Sequence, residues 1–337
     1  MDMENVQIDK ENTAKDSNKR AVSFDIKSFF KKNKLTAALL AVILLLVAVL
    51  GVQTVRVNKL SAQIVNIDNV HAAVYDKSQT IQLAGPADRI GLHNYSLGEI
   101  MIPALEGVPV NIYKEENFLT DSKGYKYYYE DSELLSYAGI DVSGYNGEID
   151  WNKVKESGID FVMFRIGGRG YGSEGVLYDE PRLLGNIRAA KKAGLDVGGY
   201  FFSQAITPQE AAEEAEYAVS LLKGEKLEYP LAFDWEIIDS DVARTDGISP
   251  QTLTDCARAF CDTVKEEGYI PCLYTGTSLA YYKYDLAQLS DIDIWYAQYD
   301  DLPDMYYNFT IWQYSCTGKV EGIEGEVDLN ICFKNYK

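Results

Sequence analysis

From about residue 138 onward the chain alternates short apolar runs with amphipathic stretches. The apolar runs at 138–142, 161–168, 197–205, 231–236, 270–275, 294–298, 310–314 and 327–332 read as buried strands. Between them, 180–193 is a helical stretch stopped by Gly194. The segment 208–222 is a helix with Thr207 as its cap and Pro208 in first position, and 250–267 is a helix capped by Ser249 and stopped by Gly268. About eight strands with intervening helices predict an α/β fold, a (β/α) TIM-like barrel. The last strands follow one another with little helix between them, so the barrel is expected to be irregular.

The pattern upstream is different. Residues 35–52 are almost wholly apolar, interrupted only by Thr36. Such a run at about 1.5 Å per residue gives roughly 27 Å, near the thickness of a hydrocarbon core. Lys27, Lys31, Lys32 and Lys34 stand just before it. The positive-inside rule then places a tail over 1–34 in the cytoplasm and everything after Arg56 outside. No A-x-A cleavage site follows and the polar leader is long, which favours an uncleaved single-pass anchor over 35–55 in the cell membrane. Val57, Leu60, Ile64, Ile67, His71 and Val74 then form a heptad-like stripe, read as a helical stalk over 56–84. Asn58, Asn66 and Asn69 weaken the stripe, so any self-association through it is expected to be weak. Over 85–135, the alternation at Val108, Val110 and Ile112, the turn Asp121-Ser122-Lys123-Gly124 and the run 125–129 predict a small β unit or linker, a spacer rather than a binding module. The remainder, 136–337, is the barrel.

Composition narrows the chemistry. The 337 residues are 47% hydrophobic and 25% charged, enough for a large core, and the formal charge of −19 argues against nucleic acid as a partner. His71 and His93, the two histidines, both precede the barrel. That excludes Ser-His-Asp and Cys-His centres there, and the usual His-containing zinc sites. The five cysteines form no CxxC pair and read as small core residues, though a disulfide with undetermined partners stays open. The 25 tyrosines suit strands as well as sugar faces.

The sharpest chemical signal is Phe233-Asp234-Trp235-Glu236 at the end of a predicted strand. Alternation puts Asp234 and Glu236 on one face. In a parallel barrel the strand C-termini carry the active site. Two crowded carboxyls repel as anions, which keeps one protonated near neutral pH and supplies a general acid, as glycoside hydrolysis requires. Paired acids at strand ends also bind metals or cap helices. Asp141 ends the first barrel strand, and Asp328 ends or begins the last. First and last strands are neighbours in a closed barrel, so these two acids are expected at the same mouth.

Several motifs together resemble a known family. They are Ala138-Gly139-Ile140-Asp141-Val142-Ser143-Gly144-Tyr145-Asn146-Gly147, Ile149-Asp150-Trp151, Asp234-Trp235-Glu236, Trp312-Gln313-Tyr314-Ser315 and Gly325-Glu326-Val327-Asp328-Leu329-Asn330. In this order and spacing, over about 138–333, they resemble the glycoside hydrolase family 25 lysozymes, N-acetylmuramidases of the Chalaropsis type. The resemblance implies hydrolysis of the β-1,4 bond between N-acetylmuramic acid and N-acetylglucosamine in peptidoglycan, without metal or cofactor. It implies Glu236 as general acid, and Asp234 as nucleophile or as the group that orients the substrate's acetamido substituent. Asp141 and Asp328 match the other acids of the family's cleft. Many members carry a His in the third-strand motif, where this chain has Gly199-Tyr200-Phe201-Phe202. Tyr200, Tyr274, Trp295 and Trp312, near predicted strand ends, are candidate sugar platforms or core aromatics. Arg165 and Arg169 are candidates for a muramyl carboxylate or stem peptide, or for structural salt bridges. The alternative to an enzyme is a non-catalytic peptidoglycan-binding module on the same scaffold, which would be free to lose Glu236.

Overall fold

A computed structural model describes residues 89–239 and 242–337. The tail, membrane segment and stalk expected over 1–34, 35–55 and 56–84 lie outside the described residues. Among the described residues no helix is long and apolar enough to cross a membrane.

The chain opens with a hairpin, β1 (Arg89–Asn94) and β2 (Gly98–Pro103), and a small sheet of β3 (Phe118–Thr120), β4 (Lys126–Glu130) and β5 (Glu133–Leu134). The barrel then runs β6 (Tyr137–Val142), α1 (Trp151–Glu156), β7 (Phe161–Arg169), β8 (Leu177–Asp179), α2 (Leu183–Lys192), β9 (Asp196–Ser203), α3 (Pro208–Leu222) and β10 (Leu231–Trp235). It continues with α4 (Pro250–Glu266), β11 (Pro271–Gly276), α5 (Thr277–Tyr282), β12 (Asp293–Ala297), β13 (Ile311–Gly318) and β14 (Val327–Cys332).

The sheet order is β6-β14-β13-β12-β11-β10-β9-β7-β8, and β6 also pairs with β7, which closes the barrel and leaves β8 as an outer flap. Pairings from β6 through β13 around that ring are parallel, whereas β14 lies antiparallel between β13 and β6. No helix separates β12, β13 and β14, as the irregular pattern predicted.

The longer helices form where their caps say they should. The Thr207 side chain accepts from the Glu210 amide at 3.2 Å, and Pro208 stands at the first position, where its missing N–H would be an orphan in any case. Ser249 accepts from the Thr252 amide at 3.1 Å, and Gly268, at φ +85°, ends the turn after α4. The stretch expected as helix from residue 180 starts instead at Leu183, because Leu177–Asp179 pairs with β7 and Glu180 is drawn to Arg165. The short helices α1 and α5 escape a periodicity reading, since six residues complete too few turns to show a period.

Strand alternation sorts two cores. Leu231, Phe233 and Trp235 face outward under the helices, while Ala232 and Asp234 face the barrel interior. The interior is filled by Phe161, Met163, Ala232, Cys272, Trp295, Ile311 and Cys332, with Tyr229 stacked on Phe161 and Tyr336 tilted against Tyr229. Gly139 is required by this plug: a Cβ there would lie 2.2 Å from the Phe161 ring. Cys256, Cys261, Cys272 and Cys332 are buried free thiols, so the small-core-residue reading holds for these four; Cys316 is an exposed free thiol and departs from it.

The small β unit is not a free-standing linker. The predicted turn and the strand after it are present, with Asp121 accepting from the Lys123 and Tyr125 amides. The alternating run at Val108–Ile112 forms no strand; Val110 makes one bridge to Tyr307. The unit packs on the barrel's outer wall: Tyr113 stacks on Phe333 at 4.0 Å, and Phe118 meets Trp312 edge-on at 5.8 Å. Lys126 is buried there, donating to the Asp301 carbonyl at 2.6 Å between the Trp312 and Tyr314 rings. Burial lowers its pKa.

Candidate active site

Asp141 is near the end of β6, and Asp234 is the penultimate residue of β10, with Glu236 one position past that strand. Asp328 is the second residue of β14. Because β14 runs antiparallel to its neighbours, its beginning lies where theirs end, and Asp328 sits in register directly beside Asp141. The four acids predicted from sequence therefore converge on one end of the barrel.

Asp141 is buried, and its Oδ2 accepts from Gln313 Nε2 and Asn330 Nδ2, both at 2.8 Å. Asn330 in turn accepts from Trp295 Nε1 at 2.8 Å, and Gln313 Oε1 accepts from the Tyr274 hydroxyl at 2.9 Å and the Tyr299 hydroxyl at 3.0 Å. Alternation explains the set: Gln313 shares the inward face with Ile311, and Asn330 with Asp328 and Cys332. Asp234 is also buried, but its Oδ1 has no hydrogen-bond partner. An anion would suffer most from that, so the site favours a neutral carboxyl.

The electrostatics agree. Burial, and then repulsion from Asp328, push the Asp141 carboxyl up to about 8. Burial pushes Asp328 up to about 6, held back by its hydrogen bond with Asp141. Asp234 is driven well above the usual carboxylate range by burial and then by Glu236. The protein crowded around the Glu236 carboxyl raises it too, opposed by its hydrogen bond with Asp234. Each pair thus retains a proton near neutral pH, and that proton belongs to the pair. The buried members are Asp141 and Asp234; Glu236 is solvent-reachable and Asp328 half-buried. Among the described residues no group of His, Cys, Asp and Glu is arranged to hold a metal ion.

Comparison with known proteins bears on the family and the fold. The family model described as glycosyl hydrolases family 25 matches residues 140–323, which is more than half of the chain. The chain belongs to glycosyl hydrolase family 25. An autolytic lysozyme of Clostridium acetobutylicum is 31% identical over 194 residues, 57% of this chain and 54% of that protein. The chain thus matches about half the length of that relative. In fold, it is similar to the spore cortex lytic enzyme SleM of Clostridium perfringens, with a TM-score of 0.51 and 21% identity over 60% of this chain and 69% of that one. A family 25 glycosyl hydrolase from Bacillus anthracis gives a TM-score of 0.50 at 22% identity, covering 62% of this chain and 93% of that chain.

Within the family 25 barrel, the aromatic residues picked from sequence fall into different places. Trp295 is buried inside the barrel, edge-on to Tyr200 and Tyr274, and its indole N–H is committed to Asn330. It supports the acids and offers no free face to a sugar. Trp312 points the other way, out of the barrel, with its N–H on the Gln298 carbonyl at 2.8 Å and the small β unit over its ring. It is not a sugar platform. Tyr200 and Tyr274 are half-buried on the inward face, Tyr274 in register with Asp234 and Tyr200 with Ala232.

Arg165 is engaged by Glu180, and the Tyr145 ring lies 5.0 Å from its guanidinium. Arg169 is buried in a structural network, bonded to Glu213 and Glu214, each at 2.6 Å. Both arginines make structural ion pairs, one of the two readings their positions left open. The reachable rings are ones the sequence reading passed over: Tyr145 is 90% exposed on the loop after β6, with Tyr171 after β7 and Tyr299 after β12 also exposed. Loop position after a barrel strand was the available signal.

Proposed function

We propose that this protein is a peptidoglycan N-acetylmuramidase of the Chalaropsis type, hydrolysing the β-1,4 bond between N-acetylmuramic acid and N-acetylglucosamine. The observation that carries it is the Asp234–Glu236 pair at the barrel mouth, two carboxyls on one face at the end of β10, the first buried with an oxygen left without a partner and the second reachable by a ligand. Membership of family 25 and the similarity to an autolytic lysozyme support the choice of substrate. In this reading the pair's proton shifts to Glu236 when a glycosidic oxygen comes within reach, and Glu236 gives it to the leaving group. Asp234, left as the anion, faces the positive charge that develops on the sugar or orients its acetamido group. Asp141 and Asp328 form the opposite wall, where Gln313 and Asn330 hold Asp141 in place.

The apolar run at 35–52 behind Lys27, Lys31, Lys32 and Lys34 supports a single-pass anchor that places the barrel outside the cell membrane, facing the wall. The test is digestion of purified peptidoglycan by the full-length chain and by Glu236→Gln, with analysis of the new reducing ends. Muramic acid ends from the wild type, lost in the variant, are expected. N-acetylglucosamine ends would move the cut, and wall binding without products would leave only a binding module.

A further inference from the structure

Glu236 lies beyond the reach of the barrel ladder. Parallel pairing of β10 with β9 ends at Trp235 opposite Ser203, and pairing with β11 ends at Asp234 opposite Tyr274. A group that must deliver a proton needs a fixed backbone, and the sheet does not supply one at this position. The contact that does is Gln204, the residue just past the end of β9. Its Nε2 donates to the Glu236 carbonyl at 3.3 Å and to the Ser203 carbonyl at 2.8 Å.

Gln204 is wholly buried and is itself held at every polar group. Its Oε1 accepts from the Thr245 hydroxyl at 3.2 Å, its carbonyl accepts from Arg244 Nη1 at 2.9 Å, and its amide donates to Glu214. These partners come from elements fixed by a second set of bonds. Arg244 pairs with Glu210 of α3 at 2.7 Å, and its amide donates to the Tyr171 carbonyl at 2.9 Å in the loop after β7. Glu214 accepts from Arg169 at the end of β7. Three loops, after β7, β9 and β10, are therefore tied together around one residue: its main chain holds Arg244 and Glu214, and its side chain holds Thr245 and ends on the Glu236 carbonyl.

We infer that Gln204 is a positioning residue for Glu236, extending the barrel's fixed frame by one residue so that the carboxyl is presented from a rigid backbone. The inference rests on the reading of Glu236 as proton donor. It predicts a defect in turnover rather than in substrate binding, because Gln204 is buried and its hydrogen bond to Glu236 is to the main-chain carbonyl.

The experiment measures kcat and KM separately on a soluble glycan-chain substrate for four full-length proteins: wild type, Gln204→Leu, Thr245→Val and Glu236→Gln. Gln204→Leu keeps the volume and removes the donor; kcat is expected to fall about 10–100-fold with KM within about twofold of wild type. Thr245→Val removes only the anchor of Gln204 and is expected to give a smaller kcat loss, again at constant KM. Should Gln204→Leu fail to fold, Thr245→Val decides by the same split. Unchanged kcat in a folded Gln204→Leu, or losses in kcat and KM that merely track a lowered Tm, would overturn the inference. Full activity in Glu236→Gln would instead overturn the proton-donor reading, so the two failures are told apart.

Discussion

The two walls of the mouth each carry a pair of carboxyls, and they are built differently. Asp141 and Asp328 sit side by side on adjacent antiparallel strands, and two amide donors grip Asp141. Asp234 and Glu236 are two residues apart, at and just past the end of β10; the first has an oxygen without a partner and the second lies past the ladder. Crowding raises the pKa of both pairs, but only the first is locked by a hydrogen-bond network. A proton held in such a network is suited to fixing geometry, whereas one shared at an open strand end is suited to transfer.

The largest effect expected from this contrast is at Glu236. Glu236→Gln should lower kcat about 10³-fold, as loss of a general acid does, with little change in KM, measured as reducing ends released from peptidoglycan. On the proposal that the opposite wall positions and does not deliver protons, Asp328→Asn should cost about tenfold; a loss equal to that of Glu236→Gln would erase the distinction.

Stability against pH separates the walls in another way. Asp141, pushed up to about 8, binds its proton more tightly folded than unfolded, so its contribution to stability falls as pH rises from roughly 4 through 8. Asp141→Asn keeps an oxygen for Gln313 and Asn330 and never ionises. Its Tm relative to wild type should therefore climb across that window, by the equivalent of a few kcal/mol (about 1.4 kcal/mol per pKa unit). A difference that stays flat between pH 4 and pH 8.5 would remove Asp141 as the raised group. The smallest effect belongs to Trp295→Phe, which deletes the N–H donor to Asn330 while keeping an aromatic filler. It should cost about 1 kcal/mol in denaturant unfolding for the hydrogen bond, and lower kcat only a few-fold.

The acids were legible in the sequence because a strand's parity and direction are local facts. Asp234 and Glu236 had to share a face, and a parallel barrel had to present them at its C-terminal mouth. Asp328 was placed at that mouth but not at a known end of its strand; only the antiparallel run of β14 decides that it begins the strand. The two tryptophans show where local reading stops. One residue of difference in register sends Trp295 inward and Trp312 outward, and the small β unit that covers Trp312 comes from some 190 residues earlier in the chain. Gln204 carries no local sign at all, since its role depends on loops that approach only after the barrel closes.

The attachment of the β1–β2 hairpin has a mechanical consequence. Asn94 and the Tyr95 amide both bond the Asp304 carboxylate, the first at 2.8 Å, and Tyr307 ties its hydroxyl to the Pro103 carbonyl and the Leu105 amide. Tension applied to the chain ahead of Arg89 would load these bonds first, at the segment between β12 and β13. Those bonds lie on the segment between β12 and β13, so the hairpin is fastened to the barrel away from β6, β10 and β14, the strands at whose mouth the acids stand.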